Sequence, residues 1–245
     1  MNVLKKAFLV SAILISFVFS AFSVTYVVGT EASFPPFEYV EGGEFVGFDM
    51  DLIREIGKMY GFEVEIRDIS FESLIPSLMT GNIDIIVAGM TITEEREKVV
   101  DFTIPYYSAD QSIMVRKGEG TNLTILFRNP KIGVQTGTTG DIWVTENLVD
   151  AGYLPKANVI RYDTFNFAVR DLVNKNIDVI VLDNPVAERF TKTDSVEIVG
   201  IIKTNENYGM AVAPGNEDLL NILNEGIMKL QESGKMDDLI EKYFK

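Results

Sequence analysis

Residues 78–89 read LMTGNIDIIVAG and residues 172–183 read LVNKNIDVIVLD, so six of twelve positions repeat. The runs IDIIVA and IDVIVL are continuous rather than alternating and rich in β-branched residues. Such runs mark short strands buried on both faces, the kind that parallel sheets place under helices. Each follows a helical stretch and a polar turn, and Phe71 and Phe165 stand at the same offset ahead of the two copies. Further upstream each copy has its own strand and turn, TYVVGTEASF at 25–34 and KIGVQTGTTGD at 131–141. Two similar α/β lobes are predicted.

Two extended segments frame the second copy, SADQSIMVRKG at 108–118 and ENYGMAVAPGN at 206–216. After them come two amphipathic helices, EDLLNILNEGIMKLQESG and KMDDLIEKYFK, parted by Gly234. If both extended segments cross between lobes, the chain leaves the first, builds the second and returns. That topology predicts lobe one at 24–112 with 211–245, lobe two at 113–210, and a two-stranded hinge between them.

The chain opens MNVLKK, continues AFLVSAILISFVF and reaches Ala21-Phe22-Ser23, a small-x-small cleavage pattern. Residues 1–23 read as a secretory signal peptide, with the mature chain starting near Val24. There is no cysteine, so an exported form has neither disulfides nor a lipid anchor and stabilises itself by burial alone. Histidine is absent too, which removes Ser/His/Asp and Cys/His nucleophilic machinery and any histidine-containing zinc site. Neither metal nor cofactor is expected. Loss of the leader removes two lysines and leaves 20 basic against 36 acidic residues, a formal charge of −16, which disfavours nucleic acid as a partner.

In open parallel sheets, ligands sit at the carboxyl ends of strands. In the first copy that edge carries Gly89, Thr91 and then Arg96 of VAGMTITEER, with Thr91 or Thr93 capping a helix. Glu94 and Lys98 are expected to pair on its exposed face, while Arg96 shares the apolar side with no acid near it. Its guanidinium either binds a carboxylate-sized anion or pairs with a structural acid. In the second copy the strand ends at Asp183. With Pro185 at the first helical position Asn184 takes the cap, which frees Asp183 to face the cleft; Asp183 as the cap is the alternative.

The cluster QTGTTGD resembles a phosphate loop but lacks the lysine that pattern requires, and leaves only backbone donors near Thr138 and Thr139. An inward Arg96 opposite an inward Asp183 complements a zwitterion such as an α-amino acid. Phe34 and Phe71 lie near strand ends and either pack in the core or stack on a ligand side chain. Trp143, just past TTGD, is expected near the cleft mouth.

The order GTEASFPPFEY, GFDMDL, FESLIPSL, NIDIIVAGMTITEER, DFTIPYY, VQTGTTGD, NIDVIVLDNPVA and ESGKMDDLIEKYF resembles a periplasmic polar amino-acid-binding protein of an ABC importer, over nearly the whole mature chain. The resemblance implies an α/β, two-lobed type II periplasmic-binding-protein fold and a permease as partner. It implies that Arg96 and the Thr91 and Thr139 amides hold an α-carboxylate. Asp183, the Gly89 carbonyl and the Thr91 hydroxyl would hold the ammonium, and Phe34 and Phe71 would sandwich the side chain. Glu31 and Gln135 match positions at the ligand's far end. Glutamine binders commonly carry lysine where Gln135 stands, so Glu31 with Gln135 points to a basic side chain, arginine first and then lysine. The alternative on this fold is an exported cyclohexadienyl dehydratase with Glu31 or Asp183 as general acid; pairing with a cation is expected to lower either pKa, against that role.

Overall fold

The computed structural model describes residues 23–120 and 122–245, so the expected leader, apart from Ser23, lies outside the described residues. In chain order the first part comprises β1 (Val24–Thr30), β2 (Ser33–Phe34), β3 (Glu38–Glu41), β4 (Glu44–Val46), α1 (Phe48–Tyr60) and β5 (Phe62–Asp68). There follow α2 (Leu74–Met79), β6 (Ile85–Ile86), α3 (Glu94–Glu97) and β7 (Asp101–Phe102). The second part comprises β8 (Tyr107–Arg116), β9 (Ile132–Gln135), α4 (Thr139–Val144), β10 (Val159–Tyr162) and α5 (Phe165–Val173). It continues with β11 (Val179–Asp183), α6 (Asn184–Thr193) and β12 (Val196–Tyr208), before β13 (Ala211–Val212), α7 (Glu217–Glu232) and α8 (Lys235–Phe244).

The repeated stretch builds the same object twice. One five-stranded sheet has the order β5-β1-β6-β13-β7 and the other β10-β9-β11-β8-β12. In each, the repeat's strand lies parallel to the first strand of its own unit, β6 on β1 and β11 on β9, and beyond it one reversed strand, β13 or β8, pairs antiparallel with neighbours on both sides, the outer one being β7 or β12. Alternate residues feed different cores: Ile85 and Val87 join one while Ile86 and Ala88 join another, and Ile180 and Leu182 part from Val179 and Val181 in the same way. Burial on both faces is why the runs are continuous in sequence. A small sheet, β2-β3-β4, sits beside the first unit.

The chain passes between the sheets through residues 103–106 and 209–210. The two passages are tied to each other, with Thr103 N donating to Met210 O at 2.9 Å and Tyr106 N to Tyr208 O at 3.0 Å. The connection is two-stranded, as expected, but its first strand comes before the expected segment 108–118, most of which runs within the second sheet as β8, so the boundary expected at 112/113 falls inside that strand. The second extended segment begins earlier than expected, at Val196, because β12 pairs along β8 from Val196 opposite Arg116 to Tyr208 opposite Tyr107.

The GFDMDL stretch places an acid beneath the future site. Gly47 precedes α1 with φ of 127°, and a Cβ there would lie 2.1 Å from the Phe37 carbonyl oxygen, a backbone atom that cannot step aside. Gly47→Ala is expected to destabilise the chain by at least about 2 kcal/mol, read as a lower denaturant midpoint. The turn delivers Asp49 to the interior, fully buried, where its Oδ2 accepts from Gly89 N at 2.8 Å and from the Tyr106 hydroxyl at 2.7 Å.

Candidate ligand-binding cleft

The carboxyl ends of the parallel strands in the two sheets face one cavity between them. Its lining includes the nine residues expected to touch a ligand: Glu31, Phe34, Phe71, Gly89, Thr91 and Arg96 from the first unit, and Gln135, Thr139 and Asp183 from the second. Glu38, Ala88 and Thr138 line it as well. Side chains meet across it. Gln135 Nε2 donates to Glu31 Oε2 at 3.1 Å, and Arg96 Nη2 donates to the Gly137 carbonyl at 3.1 Å.

Thr93 caps α3, its hydroxyl accepting from Arg96 N at 3.2 Å. The helix lasts a single turn, so the expected Glu94–Lys98 pair does not form and Lys98 pairs with Glu95 instead. Arg96 turns inward, with 8% of its surface exposed. Its guanidinium donates to the Thr91 and Gly137 carbonyls and lies 5.3 Å over the Phe71 ring, and among the described residues no carboxylate is within ion-pairing distance. Burial draws its pKa down against the opposing charges of Glu206 and Asp183, yet an arginine stays protonated. Phe71 therefore supports Arg96 as well as lining the cavity.

Gly89 is a position only glycine fits. Its φ is +52°, and a Cβ would come within 2.8 Å of the Phe34 ring. Phe34 in turn lies between Phe37 and Phe165, ring centroids 5.8 and 6.0 Å away. It both packs in the core and faces the cavity, so the two sequence alternatives are the same placement.

Asn184 is not the cap of α6. The helix begins at Asn184 with Asp183 in the cap position, but the Asp183 side chain makes no capping bond. Pro185, two residues beyond, leaves the Val186 N–H as the remaining capping donor, and the Asp183 side chain does not accept from it. The freed carboxylate accepts from the Tyr208 hydroxyl and lines the cavity, while Asn184 Oδ1 accepts from Asp110 N at 2.9 Å.

The cleft carboxyls sit high, not low. Burial, then the charge of Glu206, raises Asp183 to about 7, although hydrogen bonds from Tyr208 and Gln111 oppose the rise. Burial raises Glu31, which Ser33 and Gln135 partly offset. Glu38 stands well above the usual range through burial and the neighbouring Asp49 and Glu31 charges, and Asp49 is raised to about 6, chiefly by burial. The expectation of lowered values assumed a bound cation; without one, desolvation governs. One buried cation thus faces an excess of carboxyl groups, and a cationic guest relieves them. Among the described residues, no group of three or more His, Cys, Asp or Glu is placed to hold a metal ion.

Sequence reading missed Glu38, Asp49, Gln111, Glu206 and Tyr208, which line or back the cavity. GFDMDL and ENYG hold three of them, and the period-2 spacing of Glu206 and Tyr208, two buried residues in an otherwise polar strand end, was the one available signal. Trp143, expected at the mouth, is absent from the cavity lining and packs half-buried against the core of the second sheet. It lies one turn beyond Thr139, where α4 has left the cleft, so ligand is expected to leave its emission maximum in place while calorimetry registers binding.

The sequence profile of the bacterial extracellular solute-binding proteins, family 3, matches residues 26–245. The chain belongs to this family. It is 33% identical over 247 residues to a putative ABC transporter arginine-binding protein of Escherichia coli (strain K12), covering 98% of this chain and 99% of the relative. It is 33% identical over 225 residues to a probable histidine-binding protein of Neisseria gonorrhoeae, covering 89% and 82%. Among solved structures, an ancestral arginine-binding protein bound to arginine shares the fold with a TM-score of 0.84 and 40% identity, over 90% of this chain and 98% of that one. Two lobes joined by a two-stranded hinge are the family's architecture, and the two sheets with their paired crossings have that form.

Proposed function

We propose that this family 3 protein captures a polar L-amino acid outside the cytoplasmic membrane, arginine first and lysine next, and hands it to the permease of an ABC importer. In this reading the leader is removed near Ser23, and the lobes divide where the chain crosses between the sheets. The observation that carries the proposal is the charge layout of one cavity, a buried Arg96 with no acidic partner facing Asp183 and Glu31. Arg96 takes the α-carboxylate together with the Thr91 and Thr139 amides. Asp183, the Gly89 carbonyl and the Thr91 hydroxyl take the ammonium, and Glu31 takes the cationic end in place of Gln135. A thermal-shift screen of the twenty amino acids and ornithine tests this, since a ligand that binds only the native state raises the midpoint as its concentration exceeds Kd. A screen in which none raises it sinks the proposal.

Side-chain choice has its own test. Glu31→Gln is expected to weaken arginine more than glutamine by about 1.5–3 kcal/mol, the range for hydrogen bonds to charged groups, because only the cation loses its partner. Gln135→Lys places a like charge beside that cation and is expected to move preference toward glutamine. Calorimetry with both ligands on the wild type and both variants checks this, and equal losses for the two ligands contradict a basic specificity.

A dehydratase-like reading draws on a single observation, an Asp183 poised near 7. That value belongs to a carboxyl awaiting a cation, and the excess of acids around it disfavours an anionic substrate such as prephenate. Incubation with prephenate or arogenate is expected to yield no aromatic product.

A further inference from the structure

Glu206 does not line the cavity, yet it holds two residues that do. The Thr91 hydroxyl donates to its Oε2 at 2.7 Å, the Thr139 hydroxyl donates to the same oxygen at 2.6 Å, and Gln111 Nε2 donates to Oε1 at 3.0 Å. Thr91 follows β6 of the first sheet and Thr139 opens α4 beside the second, while Glu206 sits on β12 just before the chain crosses back. One buried carboxylate therefore joins both walls of the cleft to the connection between them. A hydroxyl has one proton and two lone pairs. With both protons committed to Glu206, each Oγ1 has only lone pairs left for a guest. Lone pairs suit an ammonium and repel a carboxylate.

We infer that Glu206 is a positioning residue for the ligand: it fixes the Thr91 hydroxyl, and with it that of Thr139, as acceptors for the ammonium beside Asp183, leaving the carboxylate to Arg96 and the backbone. The inference rests on the amino-acid reading given above. Glutamine at this position has one carboxamide oxygen and one NH₂ group to place. It must set N–H donors against either the two hydroxyls or the Gln111 amide, which is itself a donor. Turned toward the threonines, it releases their protons toward the cavity, where they oppose an ammonium. Turned toward Gln111, it meets the Nε2 donor now bonded to Glu206, and the third bond returns only if the Gln111 amide also turns over to offer its unpartnered Oε1.

The test is a double-mutant cycle read by calorimetry with L-arginine, on the wild type, Glu206→Gln, Thr91→Val and the double variant. If Glu206 acts through the Thr91 hydroxyl, Glu206→Gln weakens arginine about tenfold or more in the wild-type background and about threefold or less once Thr91 is valine. A merely structural glutamate costs the same factor in both backgrounds, and that result, or no loss in either, overturns the inference. Should Glu206→Gln fail to fold, Glu206→Asp takes its place in the same cycle, since it keeps the charge and withdraws both oxygens by one methylene. A wild type that shifts with no amino acid in the thermal screen overturns the underlying reading. A wild type that binds, with equal factors in the cycle, keeps that reading and removes this role for Glu206.

Discussion

Arg96→Ala is expected to abolish practical binding of the amino acid while leaving the fold in place. The guanidinium is buried, donates only to the Thr91 and Gly137 carbonyls, and has no acid to neutralise it, so the ligand's carboxylate is its natural counter-ion. Removing one member of a buried charge pair costs about 2 to 5 kcal/mol, much of it from stranding the other charge. Losing the contact to Gly137 also loosens the two walls of the cleft. Calorimetry gives the affinity, and a thermal melt of the ligand-free variant shows that it folds. A loss smaller than about tenfold would make Arg96 a structural brace between the lobes.

The second large effect is on pH. In the ligand-free protein Asp183 titrates at about 7, and an ammonium binds to its ionised form. Affinity for arginine is therefore expected to be full above that value and to fall as pH drops through it, by about tenfold per unit, reaching roughly 100-fold at pH 5. The same group acts on stability in the opposite sense. Its folded-state pKa is raised from 3.8, so its contribution to stability is full below 3.8 and lost as pH rises through about 7. The empty cleft is thus least supported by Asp183 where the ligand binds best, and the ligand-induced rise in melting temperature should be larger at pH 7.5 than at pH 5. Asp183→Asn is expected to bind weakly at every pH and to lose the acid slope. A slope that survives in this variant assigns the proton to Glu31 or to the Glu38–Asp49 pair instead.

Much of this was legible without coordinates because it is local. The repeated run NID-β-branched specifies a strand buried on both faces, and period alone separates it from the helices around it. The chain order of strands, turns and extended segments then predicts two sheets and two crossings. Arg96 was recognisable as an inward cation because its neighbours are apolar and no acid lies within helical reach. Gly89, Thr91, Thr139 and Asp183 all follow strands at the edge where open sheets bind ligands, so their arrival in one cavity required only the strand assignments.

What the sequence by itself determined was therefore the kind of element at each position and the edge from which each polar side chain emerges, since periodicity and turn chemistry act within a few residues. Only the tertiary structure decided who faces whom. Glu206 meets Thr91 across 115 residues and Thr139 across 67, and Asp49 reaches Gly89 across 40. No local pattern encodes such pairings; they follow from the register of β12 on β8 and from the way the two sheets close on one another. The same packing turned Trp143 toward a core instead of the cleft. At Asp183 the proline removes one of the two usual capping donors, but it is the Tyr208 hydroxyl, 25 residues away and brought there by the tertiary fold, that holds the carboxylate at the cavity. The raised pKa values come last in this order, because desolvation exists only once both lobes have shut water out.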